Sequence, residues 1–66
     1  MAKFVRFTDA YDKRSIFVNP DLVILVKENG DYYEQPVTYI TFTGDCRTVE
    51  GSVAEVVEKL EDARRG

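Results

Sequence analysis

The sequence predicts a small α+β domain, a short antiparallel β-meander of about five strands closed by one C-terminal helix packed on it. Three observations lead there. Short runs rich in β-branched and aromatic residues recur from Lys3 onward, separated by polar turns. Helical spacing begins only after Ser52, where Val53, Val56, Val57 and Leu60 fall at i, i+3, i+4 and i+7. The length of 66 residues accommodates one domain, 1–66, and no second.

Lys3 to Thr8 reads as the first strand. Phe4 and Phe7 cannot share a face of a regular strand, so one is expected in the core and the other outside it. Asp9 to Arg14 is a polar reversal. Ser15 to Val18 is the second strand, with Ile16 and Val18 on one face and Phe17 on the other. Asn19-Pro20-Asp21 breaks it, because Pro20 cannot donate to a ladder and Asn19 can cap the single turn that Pro20 opens. Leu22 to Lys27 is the third strand, apolar on both faces and therefore expected at the centre of the sheet. Asn29-Gly30-Asp31 carries a turn signal, and Asp31 to Pro36 makes that connection longer than a tight hairpin. Val37 to Phe42 is the fourth strand, with Thr38, Ile40 and Phe42 on one face. Thr43-Gly44-Asp45 turns into a short fifth strand from Cys46 to Val49 or Glu50. Ser52 with Glu55 three residues later forms a capping box at the start of the helix. Glu55 can pair with Lys59 and Glu61 with Arg65 along it, and Arg64 and Arg65 suit the negative end of its dipole. Alone in water a helix of this length is marginal, so its apolar stripe is expected to lie over Ile16, Val18, Ile40 and Phe42.

A domain this small buries little surface. One cysteine, Cys46, excludes an intrachain disulfide, and with no histidine a single thiol cannot build a structural zinc site. Close packing or self-association is left as the stabiliser. The composition is that of a folded chain, and the net charge of −3 argues against a non-specific nucleic-acid binder. Lys3 and Arg6 are followed by no apolar signal segment, and Leu22 to Val26 is far shorter than a membrane span. With one unpaired thiol, the expected compartment is the cytoplasm.

Catalytic equipment is missing. Cys46 has no imidazole to generate a thiolate, and carboxylate pairs need a burying cleft that a chain of this size has little room to form. Asp9 with Asp12, or Asp31 with Glu34, lack the alternating oxygen ligands of a calcium loop. Gly30 and Gly44 stand alone and form no phosphate loop. No catalytic residue, cofactor site or metal site is therefore expected, and the chain reads as a non-enzyme.

Binding has more support. Four tyrosines are many for so short a chain, and Tyr32 and Tyr33 adjoin in a predicted loop where at least one must be exposed. With Tyr11 in the first turn they are the candidate contacts for a protein partner or a second copy, since tyrosine offers large contact area at low entropic cost. An open sheet also leaves edges that can pair with another chain. The alternative is a small nucleic-acid-binding module built on strand one, with Lys3 and Arg6 interleaving Phe4 and Phe7 and with Lys13 and Arg14 nearby.

One order of segments is familiar: Ile16-Phe17-Val18-Asn19-Pro20-Asp21-Leu22-Val23, then Ile40-Thr41-Phe42-Thr43-Gly44, then Val49-Glu50-Gly51-Ser52-Val53-Ala54-Glu55-Val56-Val57. It resembles the small FlbD/SwrD-type flagellar and swarming-motility proteins and similar tiny proteins of bacteria and their phages. It covers most of the chain from Ile16 onward. The first turn is longer here, residues around Tyr32 to Pro36 are inserted, and Gly51 stands where an acidic residue is expected. The shared motifs dictate turns and a cap and carry no chemistry. The resemblance implies a small non-catalytic accessory protein acting through contacts.

Overall fold

In a computed structural model that describes residues 3–65, the chain forms β1 (Val5–Thr8), β2 (Ser15–Val18), a 3₁₀ turn (Pro20–Leu22), β3 (Val23–Tyr32), β4 (Gln35–Phe42), β5 (Asp45–Glu50) and α1 (Val53–Arg65). The α+β class and the closing helix are as expected. The five antiparallel strands follow one another in meander-like order, as expected, and divide between two sheets. β1 and β2 make a two-stranded sheet and β3-β4-β5 a three-stranded one, all antiparallel. Among the described residues one bridge, between Asp9 and Val49, joins the two sheets, beside a hydrogen bond from the Ala10 N–H to the Thr48 carbonyl at 2.9 Å.

The Asn19-Pro20 break separates β2 from β3. Asn19 Oδ1 accepts from the Asp21 N–H at 3.0 Å and Pro20 occupies the first helical position, so the turn is capped as its sequence requires. The core lies between the sheets and the helix. Val5, Phe7, Val18, Ile40, Val49, Val56 and Leu60 fill it, with Ile16, Val23, Val26, Phe42 and Ala63 packed around them. Alternation on β1 puts Phe7 inside and Phe4 outside, 66% exposed.

The helix starts as a capping box. The Glu55 N–H donates to Ser52 Oγ at 3.2 Å and the Ser52 N–H donates to Glu55 Oε1 at 3.1 Å. Upstream, the Gly51 N–H donates to the Pro36 carbonyl at 3.1 Å, and Thr38 Oγ1 donates to the Gly51 carbonyl at 2.8 Å. These bonds clamp the helix start to β4. At the other end Arg64 Nε lies 3.8 Å from Asp21 on the 3₁₀ turn. Arg65 reaches Asp62, at 3.6 Å, where Glu61 was the expected partner.

Two expectations about β3 fail. The turn signal at Asn29-Gly30-Asp31 does not end the strand; Gly30 takes φ +73° where the register shifts between Glu28 and Asp31, and pairing resumes at Asp31 with Pro36 and Tyr32 with Gln35. Glycine here supplies a bulge instead of a turn. The reversal is tighter and later, a two-residue turn at Tyr33-Glu34, so there is no long loop from Asp31 to Pro36. The apolar run Leu22 to Val26 is also not central. β3 pairs with β4 alone, and a second register shift between Val23 and Leu25 leaves Ile24 unpaired. Val23 and Val26 pack on the core, whereas Ile24 and Leu25 are exposed. An apolar run on both faces marks a central strand only when another layer covers the outer face, and the one helix covers the inner.

Candidate interaction site at the hairpin tip

The two hairpins place the three candidate tyrosines together. In the first, the Asp9 N–H donates to the Arg14 carbonyl at 2.8 Å and the Lys13 N–H to the Asp9 carbonyl at 3.1 Å. Asp9 Oδ1 accepts from the N–H groups of Tyr11 and Asp12, at 2.8 and 3.2 Å. The buried Ala10 pins this loop to β5, which aims Tyr11 at the far end of β3. Tyr11 and Tyr32 meet edge to face with centroids 5.0 Å apart, and Tyr32 meets Tyr33 likewise at 4.6 Å. Lys13 Nζ lies 5.8 Å from the Tyr32 ring centre and pairs with Glu50 on β5.

The cluster is open to solvent. Tyr32 is half-buried between its neighbours, while Tyr11 is 57% and Tyr33 82% exposed. Asp12, Asp31 and Glu34 are exposed around it. The turn presenting Tyr33 is strained: Tyr33 has φ 52° and Glu34 φ 64°. Turns with positive φ at both central residues favour Asn-Gly, and a bulky side chain is a poor occupant of that region. Residues held in sparsely populated backbone regions cluster at functional sites.

Beside the cluster, a shallow depression of about 600 Å³ is lined by Asp9, Tyr11, Asp12, Tyr39, Cys46 and Thr48. Its floor is the outer face of the three-stranded sheet, where Tyr39 is the ladder partner of Thr48 and Lys27 lies 5.4 Å over the Tyr39 ring. A hydrogen bond with Cys46, and repulsion between the two groups when ionised, push the Tyr39 phenol above its usual pKa, with burial adding to the rise. Sequence reasoning did not single out Tyr39. Its alternation opposite Ile40 was the available signal, since it places the ring on the face away from the core.

The basic residues of the alternative reading divide. Arg6 is the ladder partner of Phe17 on the outer face of β1–β2, and its Nε donates to Ser15 Oγ at 3.1 Å. Phe4 and Phe17 flank it, 66% and 65% exposed. Lys13 is committed to Glu50 and Tyr32 at the hairpin end. Among the described residues no group of three or more acidic or cysteine side chains could hold a metal ion, and no helix is long and apolar enough to cross a membrane. No family model, curated protein or solved structure matches the chain.

Proposed function

We propose that this is a small non-catalytic interaction protein that grips a protein partner with the tip of the β3–β4 hairpin, Tyr32 and Tyr33 serving as anchors and Tyr11 completing the contact. The supporting observation is the convergence of all three tyrosines at one exposed place, from two hairpins, with a strained turn holding Tyr33 out. Rigid aromatic anchors beside polar groups are the usual make-up of an interface hot spot. The FlbD/SwrD-type resemblance supports an accessory role in the bacterial or phage cytoplasm, with motility as the setting.

The test is affinity capture from bacterial lysate with wild type and the Tyr32→Ser/Tyr33→Ser double variant, followed by reconstitution with the purified partner. The expected result is a partner bound by wild type and lost with the variant, at unchanged circular dichroism. Equal binding by both proteins would remove the tip from the function. The Phe4, Arg6 and Phe17 surface favours a second reading, single-stranded nucleic acid stacked on the β1–β2 face. That reading requires binding to short single strands that weakens steeply with salt and is lost in Arg6→Glu.

A further inference from the structure

The depression beside the tyrosine cluster carries chemistry of its own. Tyr11 belongs to both: its ring meets Tyr32 in the cluster, and it lines the depression together with Asp9, Asp12 and Tyr39. Asp9 and Asp12 each give one carboxylate oxygen to backbone N–H groups of their own turn, Asp9 to Tyr11 and Asp12, and Asp12 to Arg14. Among the described residues neither carboxylate is in an ion pair. Lys13, next to Asp12 in the chain, is paired with Glu50. Arg47, which also lines the depression, is turned to Asp45 Oδ1 at 2.8 Å and to the Cys46 carbonyl at 2.7 Å. Two rings on this side already hold cations, Tyr39 beneath Lys27 and Tyr32 beneath Lys13. We propose that the tip selects an arginine-bearing segment of its protein partner, with the guanidinium seated in this depression against the Tyr11 ring and the Asp9 and Asp12 carboxylates. This rests on the tyrosine tip being the partner-binding surface, and it names the chemistry of the partner.

Charge decides the class of partner. An acidic segment laid on the tip would meet two carboxylates of its own sign. An apolar one would cover them and leave them without a counter-charge. A basic segment supplies what the lining lacks, and the net charge of −3 attracts it from a distance. The walls then favour arginine over lysine. A guanidinium is planar and weakly hydrated, so it lies on a tyrosine ring while the N–H groups in its plane reach carboxylates at the ring's edge. An ammonium is compact and strongly hydrated and meets one or the other. The depression, about 600 Å³, has room for the guanidinium and its stem. Seated there, the arginine lies beside Tyr11, so the same segment continues onto Tyr32 and Tyr33. The tyrosines supply contact area and the depression supplies the choice of residue.

Amide chemical shifts of the isotope-labelled full chain test this, during titration to millimolar concentration with the peptide Gly-Gly-Arg-Arg-Gly-Gly and with its citrulline counterpart, which keeps the shape and lacks the charge. The arginine peptide is expected to move Tyr11, Asp12, Tyr39 and Thr48, and the citrulline peptide to move none of them. Asp9→Asn/Asp12→Asn keeps the oxygens that accept from the turn and removes the charge, and it should weaken binding about fivefold. Tyr11→Leu should weaken it as well. Glu58→Gln/Glu61→Gln removes the same charge from the exposed side of the helix and should bind like wild type. Should the asparagine variant not fold, the comparison of the two peptides on wild type decides. Absence of shifts with arginine, equal shifts with citrulline, or equal weakening by the helix variant would each overturn the inference. A lysate partner lost with Tyr32→Ser/Tyr33→Ser but kept by Asp9→Asn/Asp12→Asn would overturn it too, while leaving the tip as the partner-binding surface.

Discussion

Gly51 takes φ +114° at the junction of β5 and α1, a conformation that residues with a Cβ rarely adopt. The space around it is open, with Glu55 and Val56 side-chain atoms 4.0 Å from where a Cβ would sit, so the backbone angle and not a clash sets the requirement. Gly51→Ala should therefore lower stability by about 1–2 kcal/mol in urea unfolding; no loss would show that the junction can relax. Four residues on, the Ser52 N–H and hydroxyl hold the Glu55 carboxyl below its ordinary 4.5, with Lys59 adding to the effect and burial opposing it. A carboxylate depressed in the folded state stabilises fully above that ordinary value and loses its contribution as pH falls through the lowered one. Glu55→Gln should be less stable than wild type near neutrality, and the gap should narrow on acidification below 4.5. A gap constant with pH would mean that the capping carboxylate does not act through its charge. At the tip, Tyr33→Asn/Glu34→Gly supplies the pair the turn prefers and should gain on the order of 1 kcal/mol per relieved residue. That raises Tm by several degrees in a domain of this size, while partner capture falls; a lower Tm would refute the strain argument.

Among the elements, the helix binds the fold together. Val56 and Leu60 enter the core, Lys59 Nζ lies 5.2 Å over the Phe7 ring, and Arg64 reaches the 3₁₀ turn. The exposed pairs add little, so apolar burial carries the contact. Leu60→Ala should cost about 2–5 kcal/mol, a large part of the stability of any small domain. Calorimetry should show a strongly depressed or absent transition, and a near-wild-type melt would place the stabilising contacts elsewhere. Ser52→Ala tests the start of the same element and should cost on the order of 1 kcal/mol in the same measurement. The β1–β2 hairpin is held by Val5, Phe7 and Val18 in the core and, at its turn, by the Asp9–Val49 bridge, the Ala10–Thr48 hydrogen bond and the Lys13–Glu50 pair. The contacts at the turn also aim Tyr11 at Tyr32, so the aromatic cluster depends on the docking of one small sheet against the other.

At the scale of the whole molecule, the chain is elongated, 36 × 23 × 20 Å, and its two exposed surfaces occupy opposite ends of β3. The charge-free stretch Leu22 to Val26 lies at one end and the tyrosine tip at the other. This separation allows one surface to be altered without the other. The helix α1 packs on the inner side of both sheets, while on the outer side the loop around Ala10 and the Asn29 side chain cover Thr48 and leave Ile24 and Leu25 exposed.

The helix, its cap, the Asn19-Pro20 turn and the in/out alternation of β1, β2 and β4 were legible in the sequence, because each rests on contacts within a few residues or on strict periodicity. Glu55 finds Ser52 three residues away, and Phe7 and Phe4 divide between core and solvent by parity alone. The tyrosines were legible as candidates by composition, but not as a cluster, since Tyr11 and Tyr32 meet only through the docking of Ala10 on Thr48. The position of β3 was not legible: an apolar run reads the same whether a second layer covers it or not. The Asn29-Gly30-Asp31 signal misled for a related reason. Positive φ at a glycine serves a bulge as well as a turn, and the choice belongs to the pairing of β4, which continues past it to Gln35 and leaves the poorer Tyr33-Glu34 to make the reversal.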